Sequence, residues 1–327
     1  MDRQPWRRRS NRRRSVRWGR VAVAVLGLGM AIFGLVKLIG YGIDLLSSRQ
    51  TTQELREVYY AEPTIEPALV TDAPTQMPSP TQTPAPTPEE TSAKASAIPM
   101  KPMKTPIPRL ASVSYPDNPK MTVSSRFKAL RKESKYIMGW LSIQKMVDEA
   151  VVQRDNVYYL DHDALGKQNV NGALFLDSSI SLKTQPYTYI IYGHNMKSGA
   201  MFGNLRNYEN STFYRNDPFI TFDTMYETGR YVIFAVGCVS IEEWGRNYLD
   251  FYALRSANVP ERQAAIDALI GASVHTCPID VEVNDQLLVL VTCVEKDDER
   301  RVVAARRVRE GEDEATLKKL VNMSRKR

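Results

Sequence analysis

Three cysteines, three histidines and the arginine pair at 300 and 301 bound the covalent chemistry open to this 327-residue chain. A thiolate attacks a carbonyl carbon readily, a neighbouring imidazole can take and return a proton, and a fixed cation steadies the oxyanion that forms. A cysteine, a histidine and an arginine brought together would therefore make an acyl-transfer site. Cys293 stands at the end of QLLVLVTC, an apolar and β-branched run; a charged loop follows, and Arg300 and Arg301 then open RRVVAARRV. Two strands joined by that loop would hold a thiol and a cation in one hairpin.

The histidines are unequal candidates. His162 lies in the polar turn LDHDALGKQ and reads as solvated. His275 is close to Cys277 in SVHTCPID, but two such groups with no second pair make a poor zinc site, so no metal and no cofactor is expected. His194 follows Gly193 directly after YTYIIY, where a strand end presents side chains into a loop. It stands 99 residues before Cys293, so only the fold can join the two. Cys238, inside YVIFAVGCVSI, reads as a core thiol, and Cys277 could pair with it in oxidising surroundings.

The elements that would position these groups are mostly strands. WLSI, AVVQ, VYYL, GALFLD, YTYIIYG, PFITFDT, RYVIFAVGCVSI, QLLVLVTC and RRVVAARRV are short, rich in β-branched and aromatic residues, and bounded by Gly, Asn, Asp or Pro. So many short strands in under 200 residues imply a sandwich or a barrel. Ahead of them, Ser124 and Ser125 precede RFKALRKESKYIMGW, where Phe127, Leu130 and Ile137 are spaced for one helix face. A second helix is predicted between Pro260 and Gly271, packed beside the strand end that carries Cys293, and a third over DEATLKKLVNM near the C-terminus.

The N-terminal third is of another kind. Residues 1 to 20 carry nine arginines against Asp2, which leaves the rest of the chain at a net −1 although the whole is +7. Nothing beyond that segment suggests a nucleic-acid surface. Val21 to Ile43 is apolar apart from Lys37, and 23 residues at about 1.5 Å each cross a bilayer core. The run exceeds a signal-peptide core and no small-x-small cleavage site follows it, so a membrane anchor is predicted, basic end in the cytoplasm and the remainder outside. Residues 44 to 62 could prolong that helix. Residues 63 to 108 hold twelve of the nineteen prolines among Thr, Ser, Ala and Gln, which cannot form a packed core and reads as a stalk. The expected organisation is thus a basic segment (1–20), a transmembrane helix (21–43), a juxtamembrane segment and stalk (44–109), a globular domain (120–310) and a helical tail (311–327).

YGHNMKSGAMFGNL, then a strand ending in Thr-Cys, then an arginine opening R-x-V-V-x-A-R, resembles the sortases of Gram-positive bacteria; AVVQRDNVYYL and GALFLD resemble class B in particular. The resemblance implies a mainly β fold, an eight-stranded barrel with an N-terminal helix and a helix before the cysteine strand. It implies a membrane-anchored cysteine transpeptidase that cuts a sorting signal and joins the new carboxyl end to a peptidoglycan-precursor or pilin amine. Carried over, Cys293 is the nucleophile, His194 the acid and base, and Arg300 the cation. Arg300 is preferred to Arg301 because one residue separates it from Val302 and Val303. Asn156, Leu160, Tyr192 and Thr292 fall on the family's substrate groove. Two positions depart from class B: Val291 replaces a serine, and Val294 a polar residue. A hydrolytic cysteine peptidase and a non-catalytic surface module are the competing readings.

Overall fold

The computed structural model describes residues 18–61, 108–112, 114–293 and 298–327, with Cys293 described at its backbone only. In chain order the elements are α1 (Trp18–Tyr60), α2 (Ser125–Glu133), β1 (Ile137–Ile143), β2 (Val147–Val152), β3 (Leu174–Leu176), β4 (Thr188–Tyr192), α3 (Ser211–Asn216), β5 (Phe219–Thr224) and β6 (Thr228–Ser240). There follow α4 (Val259–Ala272), β7 (His275–Thr276), β8 (Leu287–Cys293), β9 (Glu299–Arg307), α5 (Glu314–Asn322) and β10 (Arg325–Lys326). Eight strands close into a barrel in the order β1-β2-β3-β4-β8-β9-β6-β5, and β7 pairs with β10 outside it. The expected eight-stranded barrel is therefore present. Closure leaves the eight barrel strands without a free edge.

Strand composition explains the burial. LLVLV in β8 is buried at every position, and VVAA in β9 likewise, because these strands sit between the barrel interior and covering loops and helices. Tyr189, Tyr231, Phe222 and Leu141 add the large side chains of the core. Two pairs, β2 with β3 and β4 with β8, are parallel, so the chain must cross over to make them; the crossover before β3 carries Asn156 and Leu160 to the rim.

Four expectations need correction. VYYL is not a strand: Tyr158–Leu160 forms a 3₁₀ turn, because the Asp155 carboxylate accepts from the Val157 and Tyr158 amides and bends the chain. Ile137 belongs to β1, since α2 ends at Glu133 and Ser134 is extended. Helix α4 is capped by Asn258, but Gly271 lies inside its last turn and the helix packs on β6, away from Cys293. The Arg262 guanidinium fixes that placement. It is fully buried and donates to the carbonyls of Tyr187, Leu254, Val283 and Asp285 and to Thr188 Oγ1, at the opposite end of β8 from the cysteine. Cys238 is half-buried rather than core, and it is not joined to Cys277. The proline-rich stretch, most of the arginine-rich segment, and Val294 lie outside the described residues.

Among the described residues one helix, α1, is long and apolar enough to cross a membrane, with mean hydropathy 2.3 over its apolar window and none of that window buried. Its C-terminal part, from Asp44, does prolong the helix beyond the apolar run, as the sequence allowed. That part is not free in solvent: Ser48, Thr51, Leu55 and Tyr59, spaced along one face, are buried against the barrel.

Candidate active site

The rim of the barrel where β4 and β8 end forms a cleft of about 310 Å³ lined by Asn156, Leu160, Phe175, Tyr192, Gly193, His194, Val291, Thr292 and Arg300. Parallel pairing explains how two segments 99 residues apart meet. Tyr192 is in register with Val291, and the Gly193 amide donates to the Val291 carbonyl at 3.2 Å. Carried on past β4, the same register sets Gly193 level with Thr292 and His194 level with Cys293. On the other side of β8, Cys293 stands opposite Arg300 in the antiparallel register with β9. The backbone therefore brings the cysteine, the histidine and the arginine to one strand end.

His194 is held by geometry that the sequence encodes locally. Its Nε2 lies 2.6 Å from the Leu160 carbonyl, an acceptor only, so Nε2 donates. Gly172 permits the approach. Its φ is +63°, and a Cβ there would sit 2.4 Å from the Tyr159 carbonyl and 3.2 Å from the His194 ring. The loop after His194 turns back at once, with Asn195 bridging Met201 and the Phe202 amide donating to the His194 carbonyl at 3.0 Å.

The two arginines part company. Arg300 lines the cleft and donates to its own strand's Glu299 carbonyl, whereas Arg301 Nε donates to the Glu209 carboxylate at 2.9 Å. Alternation along β9 sends neighbours to opposite faces, and only one of the two can address the cleft.

Asn156, Leu160, Tyr192 and Thr292, the four groove residues expected from sequence, all line this one cleft. The Thr292 hydroxyl is buried with no hydrogen-bond partner among the described residues. Asp177 was missed. It is 5 % exposed, directly follows β3, and accepts from Tyr192 Oη at 3.1 Å, Asn156 Nδ2 at 3.5 Å and Arg255 Nη1 at 3.2 Å, as well as from Ser179. Burial pushes this carboxyl up, but the Ser179 hydrogen bonds, Arg255 and Tyr192 outweigh it and hold it below the ordinary range. One ionised group thus braces two cleft walls against the segment before α4. An Asp just past a strand gave no hint of this.

The other cysteines and histidines are occupied elsewhere. Cys277 accepts from Tyr214 Oη at 2.9 Å, and burial raises its thiol. His275 is buried, stacks on Tyr214 and donates from Nε2 to the Tyr208 carbonyl; burial holds it below its ordinary value. His162 faces Asp161 and stacks on Tyr158.

Comparison with known proteins points to one family. The sequence model of the Sortase domain family matches residues 141–308. Sortase B of Listeria monocytogenes is 32% identical over 184 residues, covering 54% of this chain and 71% of the relative. Among solved structures, a Bacillus anthracis protein described as similar to sortase B superposes with TM-score 0.51 at 27% identity, covering 62% of this chain and 88% of that one. A Staphylococcus aureus sortase B–substrate complex gives TM-score 0.51 at 25% identity, covering 59% and 88%.

Proposed function

The chain belongs to the sortase family, cysteine transpeptidases that attach proteins to amine acceptors, and from that premise we propose that Cys293, His194 and Arg300 carry its reaction. The observation that supports this most is the shared strand end: the β4–β8 and β8–β9 registers bring the backbones of His194, Cys293 and Arg300 together, and the His194 and Arg300 side chains line the cleft there.

In the first half-reaction the Cys293 thiolate adds to the scissile carbonyl of a sorting signal, and the carbonyl oxygen takes the negative charge towards Arg300. Collapse of the tetrahedral adduct breaks the C–N bond, and the departing amine takes a proton from His194. In the second half an acceptor amine adds to the thioester, gives its proton to His194 and displaces the thiolate. With Nε2 committed to the Leu160 carbonyl, Nδ1 is the nitrogen that exchanges these protons. Asn156, Leu160, Tyr192 and Thr292 line the path of the signal peptide. Its acceptor is an amine of a peptidoglycan precursor or a pilin, and its substrates are surface proteins bearing sorting signals.

Helix α1 anchors the enzyme in the membrane as a single span. The arginines of residues 1 to 20 keep the N-terminus cytoplasmic by the positive-inside rule, and the barrel works outside the cell.

The test uses the full chain in nanodiscs with a library of sorting-signal peptides, followed by mass spectrometry with and without an added amine. The expected product is the amide adduct. Cys293→Ala and His194→Ala should each abolish it while circular dichroism stays unchanged; wild-type turnover in Cys293→Ala would remove the assignment. Release of free acid with no adduct at any amine concentration would point to a hydrolase instead.

A further inference from the structure

The sequence suggests a stalk that lifts the catalytic domain away from the bilayer, and the contacts of α1 oppose it. The apolar run ends at Ile43, and the barrel is already in contact one residue later: Asn169 Nδ2 donates to the Asp44 carbonyl at 2.8 Å. Thr51 Oγ1 then donates to Asp163 at 3.0 Å, Arg56 pairs with Asp148 at 2.8 Å, Tyr60 Oη donates to Asp148, and Tyr59 stacks on Trp140 with ring centres 4.4 Å apart and donates to Asp223. These partners come from β1, β2, β5 and the 161–170 loop, so the helix is clipped to the body along four turns.

The far end of the proline-rich segment is clipped to the same body. The Pro108 carbonyl accepts from the Val259 amide and the Leu110 amide donates to the Ala257 carbonyl, with Arg109 bridging Asn258. A segment that leaves the barrel at Tyr60 and rejoins it at Pro108 cannot set the distance between that barrel and the membrane.

Magnitudes separate the two arrangements. Forty-six residues of polyproline II would span about 140 Å. The route through the contacts is far shorter: Asn169 touches Asp44, Gly172 lies against the His194 ring, and three residues of chain join them, so His194 stands at most about 25 Å from the end of the apolar run.

We propose that α1 is a rigid strut that seats the 161–170 loop on the lipid headgroups, and so holds the cleft at the bilayer surface. The surface offered to the headgroups is fitted for it. Tyr41 is at the depth where aromatic side chains favour the interface, and Leu46 and Val170 are 66 % and 52 % exposed beside the Asp44–Asn169 contact. The partner is the headgroup layer, because the helix that carries the contact is continuous with the span. The proposal rests on the reading of α1 as a single membrane span given above.

The placement is tested without activity. A full-length chain carrying Cys238→Ser, Cys277→Ser, Cys293→Ala and Val170→Cys is labelled with a fluorophore at position 170 and placed in phosphatidylcholine nanodiscs containing headgroup-nitroxide lipid. Quenching is expected. It should persist when a second copy of residues 63 to 108 is inserted after Pro108, and fall when about twenty Gly/Ser residues, about 25 Å root-mean-square, are inserted between Ile43 and Asp44. The Gly/Ser insertion leaves the helix–barrel contacts intact, so the loss does not depend on unfolding. An unquenched label, loss on doubling the proline-rich segment, or indifference to the Gly/Ser insertion would each overturn the proposal. Peptide turnover by the Cys293 form, measured separately, reports on the chemistry alone.

Discussion

At the scale of single residues the cleft separates groups that sequence spacing leaves equivalent. Arg300 and Arg301 are neighbours of one type, yet one lines the cleft and the other pairs with Glu209. Arg300→Lys keeps the charge but loses the planar fork, and should lower kcat/KM by about a hundredfold, in the range of losing one oxyanion donor. Arg301→Lys should change it by less than about threefold, because a partly exposed ion pair contributes little. Steady-state kinetics on one peptide checks both. Asp177 predicts a different signature. Asp177→Asn leaves the side-chain volume but weakens its hold on Tyr192 and Arg255, so KM for the signal peptide should rise with kcat nearly kept, the pattern of lost binding rather than lost chemistry. Val291, buried in the cleft wall where class B has serine, presents a methyl pair in place of a hydroxyl. Val291→Ser should shift the ranking of peptides in a competition assay while sparing the reaction itself.

At the scale of elements, what could be read in advance depended on how local the determinant is. The placing of Cys293 and His194 at strand ends was legible because each closes an apolar run, and the barrel because nearly every strand is bounded by turn residues. The VYYL run misled because Asp155, two residues before it, bends the chain through its own backbone bonds. Asp177 was illegible because its partners lie 15, 21 and 78 residues away. The docking face of α1 was illegible for a related reason: Ser48 and Thr51 give no apolar stripe, and their burial depends on Asp163 and Ala164 across a small cavity. Gly172 carries an element-scale prediction. Gly172→Ala forces a Cβ into the Tyr159 carbonyl at a positive φ, so the turn must shift and with it the Leu160 carbonyl that orients His194. A lower melting temperature together with a fall in kcat is expected; loss of stability with full kcat would show that the turn does not position the histidine.

At the scale of the whole molecule, the seam between α1 and the barrel holds a carboxyl, Glu149, that burial keeps protonated to higher pH than usual. Glu149 on β2 faces the groove under the helix, together with Arg49, Arg56 and Glu57 from α1 and the Ser198–Asn204 loop. Burial raises its carboxyl from 4.5 to about 7, Arg56 lowers it and Asp148 raises it, with burial the largest of the three. A group that binds its proton more tightly when folded favours the docked state most at low pH, and that contribution is lost as pH rises from about 4.5 through about 7. Asp177 and Glu312 run the other way, since both carboxyls are held below their ordinary values and lose their contribution on acidification. The whole-chain profile therefore mixes opposite slopes, and a substitution is needed to isolate the seam. Glu149→Gln is close to the protonated form in shape and hydrogen bonding but cannot ionise. Thermal melts of the full chain in nanodiscs between pH 5 and pH 8 should show the wild type losing ground to Glu149→Gln as pH rises, with the two closest at the acid end. Parallel profiles would place the Glu149 carboxylate in solvent, and a wild type that gains on the variant as pH rises would mean that Arg56 outweighs burial at this seam.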